Sequence, residues 1–460
     1  MPTNPPTRWP PRVPWQIGGL LREENRLARR IAAGEPWQAR QAERLDGQTF
    51  ATWLQRTAYT AGGRSFFRLI TEAVFSAEPE DLSAQWAAFY IGAAGGVNAL
   101  INTAGGAQQD RIEGGSQCIA IKLAEDLGDR VILSAPVTDI DWDDADVRIA
   151  AGATTVRARR AVIAIPTPLA ARIRFSPGLP GYRDQLVQRM PMGRVIKVNV
   201  VYAECFWRSA GFSGQANSDS RPLGAVFDNT PPGGAPGVLV GFLEGKHADF
   251  GARLDLADRR AQVVGDLVGY FGPRARNPIA YLERNWAEEE FSRGCFGPFA
   301  TPGTLTRFGP ALRAHIGPLH WAGTESATRW AGYIDGAIES GQRAAREVAD
   351  GLIRTGMDPP CSKRSILTCT DSTYHWYTCL MRWTIRLVGT ALVTVLLTYP
   401  LWAPDWGRGI QGEVWALGWP GGLIGVLGFF GLVALYCGQL QRLMSLVRPE
   451  ARPVSPRSVW

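Results

Sequence analysis

A single cysteine stands in a glycine-containing loop where its thiol could act as a nucleophile. The stretch "FSRGCFG", residues 291–297, places Cys295 between Gly294 and Phe296, with Arg293 just before them. No histidine or second cysteine lies nearby at a metal-ligand spacing. The chain has seven cysteines, an odd number, and none forms a CxxC pair, so we expect neither a metal site nor a disulfide framework. These residues alone leave two roles open: a thiol that reacts with a ligand, or a buried and inert one.

A lone lysine interrupts an apolar run that is typical of a β-strand. In "RVIKVNVVYAE", residues 194–204, Lys197 is surrounded by β-branched residues. Burying an ammonium group without a partner is costly, so a lysine in such a strand favours a functional role. The alternative is a lysine exposed at the end of its strand.

A strand, a glycine turn and a helix follow one another in "HWAGTESATRWAGYIDGAIESGQRAAREV", residues 320–348. The helix is predicted to begin at Gly332, where unpaired backbone N–H groups and partial positive charge suit the polar edge or phosphates of a cofactor. Gly323 and Gly332 let the backbone approach a flat ring system closely. A tight strand-to-helix connection without a ligand is the alternative.

The elements that position these residues predict a mixed α/β fold. Apolar residues at helical spacing dominate up to about residue 100. The sequence then predicts a glycine turn, a helix, a strand over Val131–Ser134, and a short buried strand that Pro166 ends. Apolar runs at 194–204 and 237–245, the strand in "PLHWAGTES" and a long amphipathic helix from Gly332 complete the pattern.

From about residue 383 the sequence differs in composition from the rest. Leu387–Trp402 and Val414–Leu440 contain no charged residue, and each is close to or longer than the ~20 residues that cross a bilayer. We therefore predict a C-terminal transmembrane helical hairpin over 383–441, although soluble core helices are the alternative. Arginines flank the pair on both outer sides, so the positive-inside rule places both ends, and the N-terminal domain, in the cytoplasm.

Bulk composition excludes some other classes of protein. The chain has 460 residues, 45% of them hydrophobic, and a formal net charge of +7. It carries no signature of a nucleic-acid-binding fold. Its proline- and arginine-rich start lacks the apolar segment of a secretory signal.

Several motifs together resemble the flavin-containing monoamine oxidase family. They are the glycine turn above, "NWAEEEFSRGCF" (285–296), "MPMGRVIKVNVVYAECFWR" (190–208) and "AIPTPLAARIRFSPGLP" (164–180). The resemblance runs in consistent order from about residue 46 to 350. It implies a two-domain amine oxidase fold, in which an FAD domain is interleaved with a substrate domain.

The resemblance implies a role for each matching residue. Cys295 matches the cysteine that bonds to the flavin, and Lys197 matches the lysine that holds a water against it. Phe296 and Tyr333 match the two rings that face each other across the substrate amine, although the family usually has tyrosine where this chain has Phe296. The other cofactor-binding positions implied are Val137, Trp286, Gly323, Thr324, Glu325, Gly332, Tyr333 and Ile334.

One part of the family pattern is not found in this sequence. The family opens with a βαβ unit that bears a GxGxxG fingerprint, and no such strand and fingerprint occur before residue 100. The expected fold is therefore an incomplete one. Three explanations stay open: a truncated product, a separate chain that supplies the unit, or a relative that no longer binds flavin.

The resulting hypothesis is an FAD-dependent amine oxidase that converts primary or related amines to an aldehyde, ammonia and hydrogen peroxide. The partners expected are a small amine, oxygen and the membrane. Alternatives are a non-catalytic membrane-anchored remnant, one half of a split oxidase, and an oxidase of polyamines or amino acids.

The segments expected are 1–45 (start and first helix), 46–104 (helical part of the substrate domain), 105–175 (FAD domain), 176–290 (substrate-domain sheet), 291–350 (FAD domain), 351–382 (linker), 383–441 (hairpin) and 442–460 (basic tail).

Overall fold

A computed structural model describes residues 12–31, 34–103 and 105–354 of the chain. The predicted transmembrane hairpin at 383–441 lies outside these residues. Within them, no helix combines the length and the hydropathy needed to cross a membrane.

Helices form the first part of the described chain, as the apolar spacing predicts. They are α1 (Arg12–Arg30), α2 (Ala42–Asp46), α3 (Phe50–Thr57), α4 (Ala61–Phe75), α5 (Ala84–Ala93) and α6 (Val97–Ile101). Hydroxyl side chains cap three of them: Thr49, Thr60 and Ser83 each accept a 3.0 Å hydrogen bond from the backbone N–H three residues on. The helix α5 is buried along almost its whole length, so it forms the centre of the helical core around Trp86.

The segment between residues 105 and 138 is exposed throughout, or at most half-buried. Its helix α7 (Gln117–Leu127) forms as predicted. The predicted strand over Val131–Ser134 is wrong. This stretch pairs with no strand among the described residues, and Ser134 takes a positive φ of 54°, which interrupts an extended backbone. Leu133 is 80% exposed.

Two small sheets follow. Their strands are β1 (Asp139–Trp142), β2 (Val147–Ala151), β3 (Thr154–Ala158), β4 (Ala161–Ile163), β5 (Arg174–Ser176) and β11 (Leu319–Trp321). The first sheet has the order β3-β2-β1-β5, in which only β1 and β5 are parallel. The second pairs β4 with β11 in parallel, with Ala161 opposite Leu319. The strand predicted before Pro166 and the strand of "PLHWAGTES" are thus confirmed.

The largest sheet contains the strand that is predicted around Lys197, which we call the lysine strand. Its five antiparallel strands have the order β10-β6-β9-β8-β7, and the strands are β6 (Val195–Tyr202), β7 (Ala216–Asn217), β8 (Ala225–Asp228), β9 (Gly237–Glu244) and β10 (Ala280–Asn285). Side chains on β6 alternate between buried and half-buried because successive residues point to opposite faces. The buried face packs on a core that includes Trp207 and Leu267.

The remaining helices connect and cover these sheets. They are α8 (Gly181–Gln188), α9 (Phe206–Ser209), α10 (Lys246–Gly251), α11 (Leu256–Phe271), α12 (Leu305–Phe308) and α13 (Ile334–Arg354). The long C-terminal helix α13 is predicted from its amphipathic pattern. It begins at Ile334, two residues after the expected Gly332, because Gly332 has a φ of +88°.

Candidate active site

The loop of Cys295 is held against the start of β6 by backbone contacts. Cys295 N donates to Gly193 O at 2.9 Å, and Gly193 N donates to Gly297 O at 3.3 Å. A side chain on Gly193 would overlap the carbonyl oxygens of Cys295 and Phe75. Glycine is therefore required where these two backbones approach each other.

The Cys295 thiol is protonated at neutral pH in this environment. Burial raises its pKa to about 11, although the Lys197 ammonium acts in the opposite direction. A thiol with this pKa is a poor nucleophile until a ligand or a change in its surroundings stabilises the thiolate.

Lys197 is the third residue of β6, the second strand in the order of the five-stranded sheet, and does not lie at a strand end. It is opposite Phe242 on β9 and opposite Arg284 on β10. Its Nζ atom lies 5.9 Å from the centroid of the Phe242 ring, within cation–π range. The side chain is half-buried and close enough to Cys295 to lower the pKa of its thiol. The structure thus brings two of the predicted site residues together.

A small aromatic cavity, about 10 Å³ in volume, opens beside this loop. Its lining residues are Val74, Phe75, Trp86, Tyr90, Phe296, Gly297, Pro298, Thr324, Glu325 and Gly332. We call it the aromatic cavity. Phe296 is 45% exposed, and its ring centroid lies 6.4 Å from that of Phe242. Phe296 therefore connects the cavity to the strand that faces Lys197.

Tyr333 reaches the cavity through another tyrosine. Its ring centroid lies 6.3 Å from that of Tyr90 and 5.1 Å from that of Trp330. Burial raises the pKa of Tyr333 to about 12, so its hydroxyl stays protonated near neutral pH. Phe296 thus lines the cavity, whereas Tyr333 is not among the lining residues and contacts one of them, Tyr90.

The glycine turn after β11 is fixed by its own hydrogen bonds. Gly323 N donates to Ser340 Oγ at 3.0 Å, and the Thr324 hydroxyl donates to Tyr333 O at 2.8 Å. Glu325 is buried and accepts hydrogen bonds from Thr167 N at 2.8 Å and from the Thr167 hydroxyl at 2.7 Å. Thr324, Glu325 and Gly332 line the cavity, whereas Ile334 is exposed at the start of α13.

Two predicted cofactor positions lie away from the cavity lining. Trp286 follows β10, is half-buried, and donates its backbone N–H to Val195 O at 3.2 Å. This places it near the start of the lysine strand. Val137 precedes β1 and is 37% exposed. It is not among the residues that line the cavity.

Tyr90, Phe75 and Trp86 are lining residues that the sequence did not reveal. The ring centroids of Phe75 and Tyr90 are 4.8 Å apart. A side chain on Gly332 would collide with the Tyr90 hydroxyl. Burial, and next the Tyr333 hydroxyl, raises the pKa of Tyr90 well above its usual range. Because α5 is apolar on all sides, its sequence gives no signal of which residues face a cavity.

Known proteins of one family are similar to this chain over most of its length. The family model described as flavin containing amine oxidoreductase matches residues 6–349. A putative flavin-containing monoamine oxidase of Mycobacterium tuberculosis, AofH, is 40% identical over 335 residues, which cover 72% of this chain and 73% of that protein. Amine oxidase A of Canis lupus familiaris is 34% identical over 353 residues, or 76% of this chain and 67% of that protein.

Solved structures of amine-oxidising enzymes are also similar. Cyclohexylamine oxidase from Brevibacterium oxydans has a TM-score of 0.71 at 34% identity, with 76% of this chain and 77% of that chain covered. Putrescine oxidase bound to putrescine has a TM-score of 0.70 at 31% identity, with 76% and 78% covered.

Proposed function

The chain belongs to the family of flavin-containing amine oxidoreductases, and from that premise we propose that it oxidises primary amines with apolar substituents. It is a flavin-dependent amine oxidase, and its cofactor is FAD. In the proposed reaction the amine, oxygen and water give ammonia, hydrogen peroxide and a carbonyl product, which is an aldehyde from benzylamine and a ketone from cyclohexylamine. Two electrons pass from the amine-bearing carbon to oxygen.

The composition of the aromatic cavity is the observation that carries the substrate class. Among the residues that line it, Glu325 is the one carboxylate, and Thr167 already occupies one of its oxygens. A second ammonium group, as in a diamine, would therefore find at most one carboxylate oxygen there, on a side chain that is itself buried. None of the lining residues is arginine or lysine, so the carboxylate of an amino acid would also lack a partner. Apolar and aromatic substituents match the chemistry of the walls, and the cavity, about 10 Å³ in this structure, would have to widen to admit them.

The glycines near Cys295 are required by packing within the protein. At Gly193, Gly294 and Gly332 the space of a side chain is filled by atoms of Cys295, Met192 and Tyr90, so these glycines hold the cysteine loop and the helix start against their neighbours. FAD, when bound, supplies the acceptor for the hydride and passes the electrons to oxygen. Lys197 would hold a positive charge beside the reacting centre. The Phe296 ring would orient the amine and exclude water from it, and the Tyr333 ring would support the lining ring of Tyr90.

Cys295 would hold FAD through a thioether bond, whose formation would break the S–H bond and one C–H bond of the flavin's 8α methyl group, with oxygen taking up the two electrons and two protons as hydrogen peroxide. The support is the position of its thiol in the matched loop, next to Lys197, which favours the thiolate. Acid precipitation distinguishes a covalently bound flavin from a noncovalently bound one, because only the covalently bound flavin stays with the precipitate. The Cys295→Ala protein should release all of its flavin, whereas the Cys205→Ala protein, which changes another half-buried cysteine, should retain it.

A peroxide-release assay with a panel of amines tests the proposal. We expect higher kcat/KM values for benzylamine and cyclohexylamine than for putrescine, spermidine or an L-amino acid. A preference for putrescine or for an amino acid would overturn the substrate class. Protein that is colourless and cannot be reconstituted with FAD would instead support a non-catalytic remnant.

A split oxidase is the second candidate function, and one observation favours it. Residues 105–138 include no buried side chain although they contain apolar residues such as Ile121, Leu123 and Leu133. A helix of 11 residues with no buried face has little to stabilise it. A separate chain that carries a dinucleotide-binding unit could cover this surface. Titration of the purified chain with FAD decides: retention of one FAD per chain, together with peroxide release, would exclude the need for a second chain.

We also propose that residues 383–441 anchor the protein in a membrane with its N-terminal domain in the cytoplasm. The support is their uncharged composition and the arginines that flank them. Carbonate extraction of cell membranes should leave the full chain in the pellet and release a chain that ends at residue 358. A reporter fused after Trp460 that reads as extracytoplasmic would overturn the orientation.

A further inference from the structure

A buried hydrogen-bond donor belongs to the wall of the aromatic cavity. Trp86 lines the cavity and is 1% exposed. Its indole carries one polar hydrogen, on Nε1, and this group can only donate. The Nε1 atom is buried and has no hydrogen-bond partner among the described residues. Because a buried tryptophan N–H normally finds an acceptor, this donor calls for one.

The indole of Trp86 is held in place by its own helix. The Trp86 backbone N–H donates to Ser83 Oγ at 3.0 Å, which fixes the first turn of α5. The ring centroids of Trp86 and Phe89 lie 5.5 Å apart. The helix α5 is buried along almost its whole length. The side chain therefore cannot turn its N–H to solvent without unpacking the helical core.

Other polar side chains of the cavity wall already have partners. The Thr324 hydroxyl donates to Tyr333 O at 2.8 Å, and Glu325 accepts two hydrogen bonds from Thr167, at 2.8 Å and 2.7 Å. Within residues 12–31, 34–103 and 105–354, no other lining residue has a buried side-chain polar atom without a partner. The Trp86 N–H is thus a donor of the wall that is free to meet a ligand.

The size and charge of the cavity limit the acceptor that it can receive. A volume of about 10 Å³ corresponds to roughly one water-sized group. A carboxylate would be repelled by Glu325 and by the electron-rich faces of the aromatic wall. An ammonium group has no lone pair with which to accept from an N–H. A neutral oxygen, such as that of a hydroxyl group, meets none of these obstacles.

We infer that the Trp86 N–H is a specificity-determining donor, which binds a neutral oxygen at the far end of the amine's substituent. A substituent with an apolar body and a terminal hydroxyl would give the N–H its acceptor. A hydrocarbon of the same shape would bury the N–H without one, which costs binding free energy. The inference rests on the proposed function in taking the aromatic cavity as the place of the substituent.

Binding of two uncharged ligands tests the donor without turnover. Benzyl alcohol and ethylbenzene have the same shape, and a hydroxyl in the first replaces a methyl in the second. We take the ratio of the Kd for ethylbenzene to the Kd for benzyl alcohol, measured on the full chain by titration calorimetry. This ratio should be about tenfold lower in Trp86→Phe, which keeps an aromatic ring but has no N–H, than in wild type. Comparing ratios between proteins cancels the difference in hydrophobicity of the ligands.

Trp321→Phe is the matched control. Trp321 is 2% exposed and its Nε1 also lacks a partner among the described residues, but it does not line the cavity. Its ratio should equal that of wild type. A second variant carries 3-benzothienylalanine at position 86, which keeps the two-ring shape and has no N–H. It should match Trp86→Phe, and it decides the question if the smaller phenylalanine ring prevents folding.

Oxidation gives a second readout of the same contact. The kcat/KM for 4-(hydroxymethyl)benzylamine divided by that for 4-ethylbenzylamine should also be about tenfold lower in Trp86→Phe than in wild type. Equal binding ratios in wild type and both variants at position 86 would overturn the inference, as would an equal fall in Trp321→Phe. If no amine is oxidised, the proposed function fails and the binding ratio still decides the inference. If amines are oxidised but the ratios do not change, the inference alone fails.

Discussion

Gly193 and Cys295 lie backbone to backbone, with no room for a side chain at residue 193. The Cys295 N–H donates to the Gly193 carbonyl oxygen at 2.9 Å, and the Cys295 carbonyl oxygen occupies the space that a methyl group on Gly193 would need. The Phe75 carbonyl approaches Gly193 as well. One glycine thereby joins the cysteine loop, the lysine strand and the wall of the aromatic cavity.

Replacement of Gly193 by alanine should disturb the cysteine loop, the lysine strand and the cavity wall together. The new methyl group meets two backbone carbonyls rather than a flexible side chain, so the backbone must shift. We expect a loss of about 1–3 kcal/mol in the free energy of unfolding, measured by urea denaturation. FAD binding, measured by flavin absorbance after gel filtration, should fall as well.

The control for this variant is Gly265→Ala on α11, where a methyl group meets nothing within 4 Å. That change should stabilise the protein by about 0.5–1 kcal/mol, because alanine favours a helix more than glycine does. Normal stability and FAD content in Gly193→Ala would contradict the described packing of the loop.

The Cys295 thiol should react slowly in the FAD-free protein. A thiol pKa of about 11 leaves roughly one part in a thousand as thiolate at pH 8, which is far less than for an ordinary cysteine. Alkylation by iodoacetamide, followed by peptide mass spectrometry, should modify Cys118 first and Cys295 only as pH approaches 11. Labelling of Cys295 at pH 7 at a rate similar to that of Cys118 would contradict this.

Lys197→Met should destabilise the Cys295 thiolate and slow the proposed oxidation. Loss of the ammonium raises the pKa of the Cys295 thiol further, so alkylation should shift to higher pH. If Lys197 acts at the reacting centre, kcat/KM should fall by about a hundredfold while the protein stays folded. Lys197→Arg keeps the charge, so its alkylation profile should stay close to that of wild type.

The sequence indicates the elements of the site better than it indicates the cavity. The apolar runs at 194–204 and 237–245 form β6 and β9, because their β-branched residues suit a buried sheet. Lys197 and Cys295 stand out as a polar residue in an apolar strand and a thiol in a glycine loop. Their proximity, however, depends on the pairing of residues 193 and 295, which are far apart in the chain.

Two features had no usable signal in the sequence. Phe75 and Tyr90 lie on different helices, and hydrophobic spacing identifies them only as core residues. The strand predicted at Val131–Ser134 has suitable residues but no partner strand within the described chain, and Ser134 adopts a positive φ. Residues that favour extended backbone do not form a strand unless a neighbouring strand is present to pair with them.

Arg259 and Glu283 form a largely buried ion pair that should contribute strongly to stability. Their side chains are 12% and 13% exposed, and Arg259 Nε lies 2.9 Å and 3.0 Å from the two carboxylate oxygens. Arg259→Met leaves Glu283 buried without its partner, so we expect a loss of about 3–5 kcal/mol in urea denaturation. The exposed pair Arg284–Glu289 is the control, and Arg284→Met should cost at most about 1 kcal/mol. A similar loss in both variants would contradict the difference in burial.

Tyr333 should act through its ring rather than through ionisation of its hydroxyl. Because burial raises its pKa to about 12, the hydroxyl keeps its proton throughout the range in which an oxidase assay is made. Tyr333→Phe should therefore leave the pH profile of kcat/KM unchanged. Tyr333→Ala removes the ring that packs on Tyr90 and Trp330, and it should raise KM for benzylamine about tenfold.

Tyr270→Phe is the control away from the cavity, since its hydroxyl donates a hydrogen bond to Leu223 O at 2.6 Å. It should lower stability by about 1 kcal/mol without a change in KM. An altered pH profile in Tyr333→Phe would instead assign the hydroxyl a role in proton transfer.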